Sequence, residues 1–224
     1  MELVGGSIGD PGQGRMCLMS LVAFLAGEPH SDSPGCASPL VQTFAVLVND
    51  HMPRAARQRL KPFAPRIIGT DDGLDGARAA VLLHAFAEGI LAGAPGQDLA
   101  RAAAPAHGWS AKLRRPWRWL RQDERQWLLH FALSRGDGVE LAREAARLVA
   151  RAARHAPCAR ERERHWDAAI GLLDRLCDVG VPVQERRGPG GVLPERLGRL
   201  EDMPRPRRDA SGRAEGKPAL HPLR

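Results

Sequence analysis

Tyrosine is absent from these 224 residues, and aromatic residues of all kinds make up only 4%. Lysine is scarce as well: Lys61, Lys112 and Lys217 are the only three among 33 basic residues. With alanine abundant, this is the skew that a GC-rich genome imposes by codon supply. Arginine richness alone therefore carries little functional weight. No apolar run approaches the roughly 18 residues that a membrane span requires. Residues 15–27 are also a poor signal peptide, being short and preceded in that run only by Arg15. No C-x-x-C pair occurs. Four cysteines, Cys17, Cys36, Cys158 and Cys177, are too few for a disulfide scaffold of this size. Reduced thiols in a cytoplasmic setting are expected. There is no P-loop, Gly-rich dinucleotide fingerprint, H-E-x-x-H or G-x-S-x-G. The common nucleotide- and metal-dependent enzyme classes thus lack support.

The chain is long enough to bury a sizeable core. Its net charge of +7 is unevenly spread. Residues 1–100 carry 7 basic and 10 acidic groups, residues 101–185 carry 16 and 11, and residues 186–224 carry 10 and 5. The basic character therefore lies behind a mildly acidic first half. Such a balance can attract nucleic acid, but no block of five like charges occurs.

Residues 1–14, "MELVGGSIGDPGQG", contain five glycines and read as a flexible lead-in, or as sequence upstream of the true start. From Met16 the pattern turns helical. Leu18, Leu21, Val22 and Leu25 recur at i, i+3, i+4 and i+7, with Met19, Ala23 and Ala26 widening the face. That helix is expected to be buried nearly all round. Ser38 is a good N-cap and Pro39 suits the first helical position of the next helix, whose stripe is Leu40, Phe44, Leu47 and Val48. A third helix is expected through "RAARQRL", with "FAPRIIG" a connector. A fourth follows Thr70, Asp71 and Asp72, and a minor one is expected at 97–104. Trp117, Leu120, Trp127, Leu128 and Phe131 show helical spacing. So do Leu141, Ala145, Leu148, Val149 and Ala152, and again Trp166, Ala169, Ile170, Leu173, Leu176 and Cys177.

After Val183 the pattern stops. Residues 186–224 hold six glycines, six prolines and no aromatic residue, too little apolar surface to offset ordering entropy. The expected fold class is all-α, a helical bundle of about seven or eight helices with a disordered C-terminal tail. The expected organisation is a flexible N-terminal lead at 1–14, a helical domain at 15–185 with a sub-boundary near 93–108, and a disordered basic tail at 186–224.

One stretch, "RMCLMSLVAFLAGEPHSDSPGCASPL", gathers reactive side chains. Cys17 lies near a helix N-terminus, where the dipole and Arg15 would lower a thiol pKa. The helix of about ten residues is ~15 Å long, and the loop after Gly27 can return along it. His30 could then act as a base for Cys17, with Asp32 orienting the imidazole. Alternatively Cys17, His30 and Cys36 are zinc-type ligands, with Asp32 or water as the fourth. The bland reading is a buried core cysteine and a capping loop shaped by Ser31, Asp32, Ser33, Pro34 and Gly35. Cys-x12-His-x5-Cys matches no established ligand spacing.

The residues Cys17-Leu18-Met19, Ala26-Gly27-Glu28, Ser31-Asp32-x-Pro34-x-Cys36-x-Ser38-Pro39 and Asn49-Asp50 resemble an uncharacterised family of bacterial hypothetical proteins. The resemblance spans residues 16–92. It implies no activity, and it favours the two cysteines and Asp32 over His30 as site candidates.

A second constellation, "WSAKLRRPWRWLRQDERQW", interleaves Arg114, Arg115, Arg118 and Arg121 with Trp117 and Trp119. Basic groups among aromatics can hold phosphates and stack bases. Core tryptophans beside solvated arginines are the plainer alternative. Arg143 and Arg147 sit three residues after Glu140 and Glu144, as on a solvated helix face. The leading expectation is a cytoplasmic, non-catalytic binding protein with a protein partner. The alternatives are a thiol enzyme or zinc-binding protein centred on Cys17, Asp32 and Cys36, and a nucleic-acid-associated protein acting through residues 109–155.

Overall fold

A computed structural model of the chain describes residues 1–87, 138–181 and 194–203. The described part is all-α apart from one small sheet. Helices α1 (Leu18–Ala26), α2 (Pro39–His51), α3 (Arg54–Arg57), α4 (Ala64–Ile67), α5 (Asp75–Ala87), α6 (Gly138–Arg154), α7 (Ala159–Asp178) and α8 (Pro194–Glu201) follow in chain order. The minor helix expected at 97–104 and the tryptophan-rich helix after Trp109 lie outside the described residues. Within the expected tail, residues 194–203 are described and contain α8.

The core forms where apolar faces meet. In α2 the buried side chains are Leu40, Val41, Phe44, Ala45, Val48 and Asn49. As expected, Ser38 caps this helix: its hydroxyl accepts from the Val41 N–H at 3.2 Å, and Pro39 opens the first turn. The most extensive helix pairing is between α2 and α6. The reason is the alanine content of α6, whose buried face is Leu141, Ala142, Ala145, Ala146, Val149, Ala150 and Ala153. Small side chains let two helices approach closely. Gly138 shows how closely: a Cβ there would stand 2.9 Å from Leu40 Cδ1. The face is rotated from the one expected, burying Ala153 in place of Ala152, because α2 covers the alanine side. Trp166, Ala169, Leu172, Leu173, Leu176 and Cys177 of α7 close the core against α6, α2 and α5. The long helix expected through "RAARQRL" is instead α3, then a 3-10 stretch, Gln58–Phe63, then α4. Pro62, inside the 3-10 stretch, cannot donate a backbone hydrogen bond, and Pro65 sits in the first turn of α4.

Residues 1–14, expected as a flexible lead-in, supply two of three short strands. β1 (Glu2–Leu3) lies parallel to β3 (Arg15–Met16), and β2 (Gly9–Asp10) lies antiparallel to it. Strands of two residues leave no alternation to read. Side chains of the following helices bind this segment. The Gln58 amide accepts from Leu3 N–H at 3.0 Å and donates to Leu3 O at 2.9 Å, acting as a surrogate strand along the β1 edge. Asn49 donates to Val4 O at 2.8 Å, and Asp50 accepts from Gly6 N–H at 2.9 Å. Arg54 forms a two-point ion pair with the nearly buried Glu2. Gly9 has φ +80, and a Cβ there would be 2.5 Å from Arg15 O, so only glycine fits.

Three arginines tie the helices together from inside. Arg57, buried, donates to Asn49 O at 2.7 Å and Met52 O at 2.8 Å, satisfying carbonyls at the end of α2. Arg66 pairs with Asp174 and, at 2.6 Å, with Asp178 on α7. Arg78 is 0% exposed. It grips Asp72 at two points, 2.6 and 2.8 Å, and donates to Thr70 O at 2.9 Å, Leu176 O at 3.2 Å and Val179 O at 3.4 Å.

Arg78 is buried while Asp72 reaches solvent, so removing Arg78 takes the donor from Thr70 O, Leu176 O and Val179 O and does not strand a buried charge. Arg78→Met is expected to lower the unfolding free energy by about 2–3 kcal/mol in urea denaturation. A loss under about 1 kcal/mol would show the contact to be dispensable. The Arg78 guanidinium holds the Asp72 carboxyl below its ordinary 3.8. A depressed carboxyl stabilises the fold above its unfolded value and ceases to do so as pH falls through the folded one. The stability difference between wild type and Asp72→Asn should therefore be present at neutral pH and shrink below about pH 4. A difference unchanged down to about pH 2 would refute this assignment.

Candidate functional site

The loop after α1 begins at Gly27, which takes φ +77 and ends the helix. Its N–H and that of Glu28 both return to the last turn, Glu28 donating to Ala23 O at 2.9 Å. The chain then turns back. The Glu28 carboxylate accepts from Gly35 N–H at 2.7 Å and Cys36 N–H at 2.8 Å, so one side chain clasps both ends of the loop. Gln42 of α2 adds a second clasp, donating to Pro34 O at 2.7 Å and Ala37 O at 2.6 Å. The far end is tied to the segment before α5: Gly69 N–H donates to Cys36 O at 2.8 Å, and Ser38 N–H to Thr70 Oγ1 at 3.0 Å.

Cys17 is the N-cap of α1 and is buried. Its sulfur accepts from Ser20 N–H at 3.2 Å and lies 2.9 Å from Ser20 Oγ. Ser20 Oγ donates its one proton to Ile8 O at 2.7 Å. The Cys17–Ser20 contact must therefore use the thiol proton. The hydrogen-bond count thus calls for a neutral thiol at Cys17. Burial also pushes this thiol upward, outweighing the hydrogen bonds from Ser20 and Met19. The helix dipole and Arg15 were expected to lower it. They do not prevail, because desolvation of a thiolate in the core is the larger effect.

His30 does come back towards the start of α1. Its Nε2 lies 3.3 Å from Gly9 O, at the outer edge of β2. Asp32 is exposed, and its charge is a minor influence on Cys17. Cys36 is half-buried at the opposite end of the loop, beside Glu28. Burial first, and then the Glu28 carboxylate, push its thiol up to about 12. Among Cys17, His30, Asp32 and Cys36, no hydrogen bond joins one side chain to another. Among the described residues, no group of three or more His, Cys, Asp or Glu side chains is placed to hold a metal ion. The loop therefore folds back, but it brings together capping groups, with the two sulfurs at different places.

Glu28, Ser20 and Ile8 are the residues that residue-type reasoning passes over. Glu28 carried a signal only in hindsight of geometry: a carboxylate just past a helix C-terminus, seven and eight residues before two free N–H groups. Ser20 and Ile8 carried none, since their pairing spans twelve residues through a two-residue strand.

The proposed phosphate-contacting residues Arg114, Arg115, Trp117, Arg118 and Arg121 lie outside the described residues. On α6, Arg147 pairs with Glu144 at 2.6 Å and Arg143 pairs with Glu140. No helix among the described residues is long and apolar enough to cross a membrane. Comparison with known proteins finds no family model, no curated protein and no solved structure that matches this chain.

If Cys17 serves as a cap, then serine, a better N-cap, should replace it at little cost, within about 1 kcal/mol. Cys17→Ala should lose about 1–2 kcal/mol through the missing cap and the exposed donor on Ser20. Thermal melts of the two variants check this; equal losses would contradict the capping role. Glu28→Ala should cost about 2 kcal/mol, since two charge-assisted bonds disappear together.

Proposed function

We propose that this chain is a non-catalytic helical protein that acts by binding another protein. The observation that carries the reading is the internal engagement of the reactive side chains at the start of α1 and in the loop between α1 and α2. Cys17 is held as a neutral thiol between Ser20 and the core, and the Cys36 thiol stands at about 12 beside Glu28. A nucleophilic thiol needs the opposite, a lowered pKa and access. The polar groups of the loop serve its closure, which leaves the helical surface as the functional element. A nucleic-acid role through residues 109–155 gains little from α6, where glutamates pair with two of the arginines. The resemblance at residues 16–92 adds a family without an assigned activity and is compatible with a binding role.

Thiol mapping on the full chain tests the reading. Under reducing conditions, iodoacetamide should modify exposed Cys158 first and leave Cys17 and Cys177 untouched until denaturant is added. Elemental mass spectrometry should find no stoichiometric metal. Rapid alkylation of Cys17, or one zinc per chain, would overturn the proposal in favour of a thiol or metal site at Cys17, Asp32 and Cys36.

A further inference from the structure

The pairing that neutralises the arginines of α6 stops at Arg147. Arg143 and Arg147 each follow a glutamate by three residues and bond to it. Three residues before Arg151 and Arg154 stand Leu148 and Arg151 instead. Residues 155–158 then turn the chain into α7, which opens with Arg160, Arg162 and Arg164. Because α6 and α7 pack along one another, these arginines gather at one end of the helix pair, all within ~9 Å of helical rise from the turn. Each of them is exposed, and among the described residues none forms an ion pair or a side-chain hydrogen bond. The acids among them are Glu161 and Glu163, and Glu163 faces Arg59 at 3.5 Å. Fold stability does not account for this charge. Arg151 and Arg154 suit the negative end of α6, but Arg160, in the first turn of α7, opposes its positive end. The Cys158 side chain makes no capping bond there to offset the conflict.

We propose that this end of the helix pair is a binding surface for double-stranded nucleic acid, on which Arg151, Arg154, Arg160, Arg162 and Arg164 hold phosphates. A guanidinium presents a planar fork of donors that matches a phosphate and keeps its charge at any working pH. A duplex carries one negative charge per roughly 1.7 Å of its axis, so it meets several of these arginines at once and sheds counterions as it does. Residues 151–165 contain no phenylalanine or tryptophan, and Trp166 is buried in the core. Single-strand binding relies on aromatic side chains on which bases stack. The surface therefore fits the backbone of a duplex and reads no base sequence. An acidic protein offers the same sign of charge at lower density. This activity stands beside the protein binding proposed above and does not rest on it.

The test uses the full chain and a fluorescein-labelled DNA duplex of about 20 base pairs, read by anisotropy between roughly 50 and 200 mM salt. Arg160→Gln, Arg162→Gln and Arg164→Gln combined should weaken binding about tenfold and reduce the slope of log affinity against log salt by about 3. That variant should melt no lower than wild type, since the charge opposing the α7 dipole is gone. Arg205→Gln, Arg207→Gln and Arg208→Gln combined, an equal loss of charge outside the described residues, should have the smaller effect. On the wild-type chain, saturating duplex should slow iodoacetamide modification of Cys158, the exposed thiol in the same turn. No duplex binding, an equal loss in the two variants, or an unchanged rate at Cys158 would overturn the proposal. Displacement of the duplex by polyglutamate as effectively as by unlabelled duplex at equal charge would overturn it too, in favour of an acidic protein surface.

Discussion

Arg78 is the contact on which the arrangement of helices depends. A guanidinium has five N–H donors in a fixed plane and no acceptor. Withdrawn wholly from water, it must find a partner for each. Here Asp72 takes two in a fork, Thr70 O and Asp75 share in a third position, and Leu176 O and Val179 O take the remainder. The carbonyls belong to the end of α7, where helix C-terminal oxygens have no partner of their own. One side chain of α5 thus fixes the segment before its own helix and the last turn of another. Ser38 extends the junction: its N–H donates to Thr70, and its hydroxyl donates to Asp75 while capping α2. The starts of α2 and α5 and the end of α7 meet at one polar point, and their apolar faces close around α6.

The loop between α1 and α2 takes its shape from the same junction. Its last residues are bound to Gly69 and Thr70, and Glu28 at its start holds Gly35 and Cys36 at its end. Between these fixed ends, Cys36 and His30 have little freedom to approach Cys17. The chemistry suggested by residue types, a cysteine, a histidine and an aspartate in one loop, is thereby turned into capping and closure. Desolvation is the deciding effect at both sulfurs. A thiol in a dry helix start or beside a carboxylate is kept protonated, and a protonated thiol is a packing group.

Both edges of the small sheet are occupied as well. Gln58 lies along β1, and His30 faces the Gly9 carbonyl on β2. An open edge is a template for pairing with another chain, and here each edge meets a side chain of the same chain. The same economy of contacts distinguishes α8. Among the described residues, the other helices longer than a single turn bury side chains in the core, whereas α8 rests on α1 through one ring contact and two half-buried apolar residues.

Periodicity made the helical class, the buried character of α1, the start of α2 at Ser38-Pro39 and the amphipathic α7 legible without coordinates. Each rests on contacts within a few residues of chain, where spacing and capping chemistry act directly. The Glu140–Arg143 and Glu144–Arg147 pairs were readable for the same reason. What only the tertiary structure decided are pairings across long separations. The strands of residues 2–16 exist because Asn49, Asp50, Arg54 and Gln58, some 44–55 positions away, satisfy their backbone and side chains. Nothing in the residue order around Arg78 marks it as buried, and its carbonyl partners at the end of α7 lie about 100 residues further on. Cys17 could be placed at a helix start from sequence, but its protonation was set by burial and by Ser20 bonded to Ile8. Neither desolvation nor a bond to a two-residue strand leaves a mark in local residue order.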